Sequence, residues 1–159
     1  MLSWYLRYSR VAKSAMTNLI QRAGILLDAA ASSSEEAVSI CGQLLIELGA
    51  IEPQYASAMW ERENAFSSAI GLGFAIPHGT DDSRKYVKFD QLVFLRLRNE
   101  IAWGDEMVKA VLGIASRGDG HVEILGNFAE LVQEDSHRQS LLNAGDVDQV
   151  LELLGRTGS

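Results

Sequence analysis

The sequence predicts a single α/β (α+β) domain in which a mixed, roughly five-stranded sheet is flanked by helices. Apolar residues recur at helical spacing after residue 35 and again after residue 120, whereas short apolar or alternating runs at 24–28, 92–97 and 107–115 are typical of strands. The chain has 159 residues, 47% of them hydrophobic, which suits one buried core and is short for two ordinary domains.

The domain is expected to span residues 18–156, after an N-terminal extension of uncertain role at residues 1–17. The extension is mildly basic and aromatic, and Leu2, Leu6 and Val11 suit one face of a short amphipathic helix. It lacks the continuous apolar stretch followed by small residues that a secretory signal requires. The apolar runs of the chain are also far shorter than the roughly 20 residues of a membrane span, so we expect neither export nor a membrane crossing.

The first helix is predicted to begin at the serines that follow the first strand. Ser32 with Glu35, or Ser33 with Glu36, offers a capping box. Apolar residues then follow at helical spacing until Gly49, which is typical of the residue that ends a helix.

A second helix is predicted to open with Pro53 in its favoured first-turn position and to run toward Glu63. From Gly71 the sequence changes to glycine and short apolar pieces. This pattern predicts a strand that breaks into a constrained turn at His78.

The second half of the chain supplies the remaining strands and helices. Residues 92–97 alternate as a strand, and residues 101–103 are predicted to pair with it across Asn99-Glu100. The near-continuous apolar run 107–115 suits a strand buried on both faces. The last third is helical, with Asp146 as the cap of the final helix.

Composition excludes several classes of function. A net charge of −7 without clustered Lys and Arg disfavours nucleic-acid binding. The single cysteine, Cys41, cannot form an internal disulfide, which fits a reducing cytoplasm, and no cluster of metal ligands has zinc-site spacing. The Gly-x-Gly at residues 71–73 is not followed by the remainder of a nucleotide fingerprint, so no metal or organic cofactor is expected.

Two of the three histidines are candidates for chemistry. His78 lies between Pro77 and Gly79; proline fixes φ and glycine tolerates backbone geometries closed to other residues, so such a turn holds an imidazole in one direction. His121 follows residues 118–120 and opens a helix, where the dipole disfavours the imidazolium form and attracts anions. A turn with an incidental histidine and an ordinary helix N-terminal histidine are the respective alternatives.

The other two candidates are less specific. Arg62 ends a helix beside Glu61 and Glu63, so it is either half of a surface ion pair or a guanidinium fork for phosphoryl oxygens, and spacing does not choose between them. His137 follows the polar residues 134–136 and is expected to be a solvated surface histidine.

Residues 73–80, Gly-Phe-Ala-Ile-Pro-His-Gly-Thr, closely resemble the phosphorylation site of the mannitol/fructose class (type 2) of enzyme IIA domains of the bacterial sugar phosphotransferase system (PTS). The resemblance extends over residues 19–154. Further matching segments occur in the same order: residues 35–49, 52–63, 111–116 and 120–125.

This resemblance implies that His78 is the phosphorylated nucleophile, with His121 and Arg62 beside it as partners for the phosphoryl group. It also implies the mannitol-type enzyme IIA fold and a phosphotransferase that needs no metal or organic cofactor. Because the donor is a protein, we expect a shallow depression ringed by apolar side chains, to which Leu72 and its neighbours Phe74 and Ile76 contribute.

The partners implied by the resemblance are phospho-HPr as donor and a cysteine of enzyme IIB as acceptor, with membrane contact only indirect, through IIB and IIC. Residues 78–80, 103–105 and 121–125 look most like the mannitol-type members. The alternative is a regulatory phospho-switch of the nitrogen-related type, in which the state of His78 controls the binding of another protein.

Overall fold

The computed structural model describes residues 19–155. The predicted extension at residues 1–17, with its amphipathic helix, lies outside the described residues.

Five strands form one mixed sheet in the order β1-β4-β5-β3-β2. Strand β1 runs parallel to β4 and β3 parallel to β5, whereas the β4–β5 and β2–β3 pairs are antiparallel. The predicted mixed sheet is therefore confirmed. The strands are β1 (Ile20–Ala29), β2 (Ala69–Gly71), β3 (Phe74–Ala75), β4 (Gln91–Trp103) and β5 (Glu106–Ala115).

Helices cover both faces of the sheet. They are α1 (Ser34–Glu47), α2 (Pro53–Ala65), a 3₁₀ helix (Asp81–Tyr86), α3 (Gly120–Gln133), α4 (Asp135–Leu142) and α5 (Val147–Gly155). Alternate residues of β4 point to opposite faces, so Val93 and Leu95 pack against α1 and α2, while Leu92 and Phe94 pack against the C-terminal helices. The sheet is thus buried on both sides.

The predicted capping box of the first helix involves Ser33 and Glu36. The Ser33 hydroxyl accepts a hydrogen bond from the Glu36 backbone N–H at 3.1 Å. The Glu36 carboxylate accepts in return from the backbone N–H of Ser32 at 2.9 Å, one residue before the position of the usual reciprocal bond. At the other end of the chain, Asp146 caps α5 as predicted, by accepting from the Gln149 N–H at 2.9 Å.

The prediction of a hairpin turn at Asn99-Glu100 is wrong. These two residues lie inside β4, which continues to Trp103, and the pairing with β5 shifts register between Arg96 and Ile101. The turn falls instead at Gly104, whose φ of +62° is readily adopted only by glycine. Polar residues such as Asn99-Glu100 can interrupt an apolar pattern at a turn between two strands or at an irregularity within one strand. The sequence pattern is the same in both cases.

The prediction for His137 is also wrong. Its side chain is only 14% exposed, and its Nδ1 lies 3.1 Å from the Glu134 carboxylate. The ring is therefore largely covered, although the three polar residues before it, 134–136, are exposed.

Within residues 19–155, no helix combines the length and apolar character that crossing a membrane requires.

Cys41 is fully buried on the inner face of α1, and burial raises the pKa of its thiol to about 12. Since the thiolate is the reactive form, the folded protein should resist alkylation by iodoacetamide at pH 8, where an exposed thiol reacts. Mass spectrometry should find an unmodified native protein and one added carbamidomethyl group after labelling in urea. Rapid modification of the native protein would contradict this burial.

Candidate functional site

His78 lies where the β3 segment leaves the sheet. Beyond Ala75 the chain continues beside β5, and the Ile114 N–H donates to the Pro77 carbonyl at 3.0 Å. His78 itself forms an isolated parallel bridge with Ile114. The half-buried imidazole therefore stands on backbone that is anchored to a central strand.

Nδ1 of His78 contacts the backbone of the same segment. Nδ1 lies 3.0 Å from the carbonyl oxygen of Ile76. Because a carbonyl oxygen only accepts, this contact requires a hydrogen on Nδ1. The neutral ring then carries its lone pair on Nε2, which is the form needed for nucleophilic attack from that nitrogen.

The Tyr55 hydroxyl, from the first turn of α2, fixes the turn after His78. It donates to the Ile114 carbonyl at 2.7 Å and accepts from the Gly79 N–H at 2.9 Å. Burial raises the pKa of Tyr55 to about 12, so the hydroxyl keeps the proton that it donates. A single buried side chain thus ties the residue after His78 to β5.

Gly79 is required for space rather than for unusual backbone geometry. Its φ is not among the positive values found in the structure, so the conformational freedom expected from the sequence is not what it supplies. A Cβ atom here would lie 2.5 Å from both Ser83 Oγ and Tyr55 Cε2. Only glycine lets the turn approach the tyrosine ring this closely.

His78 borders a small, shallow depression. The residues that line it are Tyr55, His78, Gly79, Thr80, Asp81, Arg84 and Ser116.

The expected apolar ring around His78 is wrong. Phe74 and Ile76 are buried in the core beneath the C-terminal helices, because the sheet is covered on both faces. Leu72 is 47% exposed, but it lies in the turn between β2 and β3, at the opposite end of β3 from His78. The residues that line the depression are instead mostly of polar or charged types.

Arg84 is a site residue that the sequence analysis missed. Its Nη2 donates to Asp81 at 3.0 Å, and its Nη1 donates to Asp119 at 2.8 Å. Asp119 is the N-cap residue of α3, so this pair brings the start of α3 to the His78 depression. The Ser-Arg-Lys sequence of a short polar loop gave no sign of this contact, which depends on residues 35 positions apart.

His121 is the second residue of α3, so the prediction that it opens a helix is confirmed. Its backbone follows Asp119, whose carboxylate binds Arg84 in the depression. The two histidine-bearing segments, which are 43 positions apart in the sequence, thus meet at one edge of the sheet.

Arg62 lies in the last turn of α2, with its guanidinium directed at Phe66. Nη1 donates to the Phe66 carbonyl at 2.8 Å, and the guanidinium carbon is 5.5 Å from the centre of the Phe66 ring. Arg62 is not one of the described residues that line the His78 depression.

Glu63, next to Arg62, supports the strand that carries the site. This carboxylate is buried and accepts from the Ser68 N–H at 2.8 Å and from the Trp103 indole N–H. The Ser68 carbonyl in turn accepts from the Ile76 N–H at 3.1 Å. The buried Glu63 carboxylate therefore holds Ser68, which in turn holds Ile76, and the Ile76 carbonyl contacts Nδ1 of His78.

Among the described residues, no group of three or more His, Cys, Asp or Glu side chains is arranged to hold a metal ion.

Comparison with known proteins identifies the family. Residues 18–156 match the model of the phosphoenolpyruvate-dependent sugar phosphotransferase system, EIIA 2. The chain belongs to this family. Enzyme IIA components of the PTS are phosphotransferases that carry phosphate on histidine, and this chain is therefore a phosphoryl-carrying component of the system.

Curated relatives cover most of this enzyme IIA domain. The mannitol-specific phosphotransferase enzyme IIA component of Halalkalibacterium halodurans is 36% identical over 131 residues, which are 82% of this chain and 90% of the relative. The protein of the same name from Geobacillus stearothermophilus is 31% identical over 137 residues, or 86% and 94% of the two chains.

Solved structures share the fold. The enzyme IIAMTL complex with phosphorylated enzyme IIBMTL from Escherichia coli matches with a TM-score of 0.81 and 30% identity, over 87% of this chain and 100% of that one. The nitrogen regulatory protein IIA-Ntr from Neisseria meningitidis matches with a TM-score of 0.74 over 89% and 99% of the two chains, but at 22% identity. The second likeness is one of fold alone.

Gly79→Ala should distort the site. The added methyl group has no space beside Tyr55 and Ser83, so we expect a loss of about 1–3 kcal/mol of unfolding free energy and slower phosphoryl uptake. Urea unfolding and uptake of acid-labile phosphate measure the two effects. Gly126→Ala is the matched control, because it lies within α3 and a Cβ there meets no atom within 4 Å; equal behaviour of the two variants would contradict the steric argument.

Proposed function

We propose that His78 is the residue that carries the phosphoryl group, which it accepts from phospho-HPr and passes to a cysteine of enzyme IIB. The observation that supports this proposal is the imidazole in a surface depression, with Nδ1 tied to a backbone carbonyl and the Nε2 lone pair as nucleophile. The resemblance of residues 73–80 to the family's phosphorylation site supports the same residue.

In this mechanism Nε2 of His78 attacks the phosphorus of the donor phosphohistidine. A P–N bond forms on His78 while the donor's P–N bond breaks, and the bonding electron pair returns to the donor's ring nitrogen. The His78 ring keeps its Nδ1 hydrogen and becomes cationic. The Ile76 carbonyl stabilises that charge, since a hydrogen bond from a charged donor is stronger than one from a neutral donor.

Transfer onward reverses the same electron movement. The cysteine thiolate of enzyme IIB attacks phosphorus, an S–P bond forms, and the electron pair of the breaking P–N bond returns to Nε2. No proton has to enter or leave His78 in either step. Catalysis by this chain then consists of positioning and charge stabilisation, as is general for transfer between activated phosphoryl carriers.

His121 and Arg62 are proposed as the partners of the phosphoryl oxygens. The start of α3 brings the backbone of His121 to the depression through the Arg84–Asp119 pair. Arg62 has to exchange its contact with the Phe66 carbonyl for a phosphoryl oxygen, a step that an exposed hydrogen bond opposes only weakly.

Mannitol or a related polyol is the proposed transported sugar, and residues 18–156 the domain that serves it. The relatives at 30–36% identity are mannitol-specific enzyme IIA components, and the structural neighbour from E. coli is bound to phosphorylated enzyme IIB. We propose that the reaction takes place in the cytoplasm, which suits the single buried thiol. A regulatory phospho-switch uses the same His78 chemistry, and state-dependent binding to a regulator without an enzyme IIB acceptor would favour it.

His78→Ala should abolish phosphorylation, because no other residue holds the intermediate in this scheme. The protein is incubated with phosphoenolpyruvate, enzyme I and HPr, and intact mass spectrometry measures one added phosphate. His137→Ala, which removes a histidine paired with Glu134 in α4, is the matched control and should be phosphorylated like the wild type. Acid-labile phosphate on the His78→Ala variant would refute the assignment.

His121→Ala and Arg62→Ala should each slow transfer without abolishing it. A charge-assisted hydrogen bond contributes about 1.5–3 kcal/mol, which corresponds to roughly one to two powers of ten in rate. Quenched-flow measurement of phosphoryl transfer from phospho-HPr gives the rates. Wild-type rates in a variant would remove that residue from the proposed machinery, whereas complete loss in His121→Ala would make it a second essential group.

A further inference from the structure

We propose that Arg84 is a phosphoryl-binding residue, whose guanidinium leaves Asp81 and Asp119 to bind the phosphoryl oxygens when His78 is phosphorylated. This inference rests on the proposed role of His78 and adds a residue that neither the sequence pattern nor the family resemblance assigned.

Arg84 lines the same depression as His78. Among the described residues that line it, Arg84 is the only Arg or Lys. It comes from the 3₁₀ helix (Asp81–Tyr86) that begins three residues after His78. A phosphoryl group on His78 that enters this depression would share it with the Arg84 side chain.

The Arg84 side chain is much less exposed than the two carboxylates that it binds. The Arg84 side chain is 26% exposed, whereas its partners Asp81 and Asp119 are 86% and 91% exposed. Exposed carboxylates are well hydrated and gain little from an ion pair. The Arg84 side chain is thus largely covered, whereas both carboxylates can return to water when the guanidinium exchanges partners.

A phosphoryl group suits a guanidinium in both its charge and its geometry. A phosphoryl group brings roughly −1.5 to −2 charges at pH 7, more than one carboxylate, and its oxygens match the planar fork of a guanidinium. Burial raises the pKa of Tyr55, and the positive charge of Arg84 acts against that rise. The charge of Arg84 is therefore felt at the hydroxyl that anchors Gly79, next to His78.

Arg62, in contrast, donates to the Phe66 carbonyl and is not among the described residues that line this depression. Among those described lining residues, the guanidinium is that of Arg84. Arg84 then makes the first contact with the incoming phosphoryl group and gives up the two carboxylates for its oxygens.

The test uses phosphoramidate, a small phosphoryl donor, so that docking of a protein donor does not enter the result. The full chain is phosphorylated and followed by ³¹P NMR, which gives the rate of uptake and the pKa of the phosphoryl group on His78. The variants are Arg84→Ala, Arg84→Lys and the double variant Asp81→Asn/Asp119→Asn. Arg98→Ala is the matched control, because Arg98 forms a comparable surface ion pair with Asp28 at the far end of β4.

The proposal predicts that Arg84→Ala slows uptake by about tenfold or more and raises the pKa of the phosphoryl group, because a charged hydrogen-bond donor is lost. Arg84→Lys keeps the charge and loses the fork, so it should keep the lowered phosphoryl pKa while slowing uptake. The double variant removes the competing carboxylates and should take up phosphate at least as fast as the wild type. Arg98→Ala should match the wild type.

A purely structural link between the two loops predicts the opposite for the double variant, which would then lose activity as Arg84→Ala does, with no change in phosphoryl pKa. That result overturns the proposal, as does wild-type behaviour of Arg84→Ala. Thermal unfolding checks the fold of each variant, and the double variant decides the question if Arg84→Ala is unfolded. Failure of the wild-type protein to accept phosphate on His78 from phospho-HPr would instead refute the proposed function.

Discussion

The parallel pairing of the segment after β3 with β5 is the constraint on which the site depends. Ile114 binds this segment through its own N–H, to the carbonyl of Pro77, and through its carbonyl, by way of the Tyr55 hydroxyl, to Gly79. His78 is the residue between these two anchors. Its ring can therefore be directed precisely, although the segment no longer belongs to a regular strand.

A series of hydrogen bonds that begins at a buried carboxylate supports this arrangement. Glu63 holds Ser68, Ser68 holds Ile76, and the Ile76 carbonyl orients the imidazole. A buried carboxylate without its partners is costly, so these contacts restrict the alternatives open to the backbone. The tautomer of His78, the proposed nucleophile, is therefore set by the fold before any donor arrives, which lowers the reorganisation that transfer would need.

The electrostatic character of the depression follows from the same architecture. The sheet is covered on both faces, so the apolar side chains near His78 turn inward and polar side chains from two loops remain at its surface. Arg84 lies between one acid from each loop, Asp81 and Asp119. The depression thus contains a cation whose two acidic partners are themselves exposed to water.

The sequence by itself determined the fold class, the starts of α1, α2, α3 and α5, the strand buried on both faces and the likeness to an enzyme IIA domain. These features are local, because periodicity, caps and a contiguous phosphorylation-site motif all lie within short stretches of chain. Only the tertiary structure decided that Asn99-Glu100 stays within a strand, that His137 is covered, that Gly79 is needed for space and that Arg84 lies beside His78. Each of these depends on which distant residues approach, such as Tyr55 on Gly79 or Asp119 on Arg84, and a one-dimensional pattern does not contain those approaches.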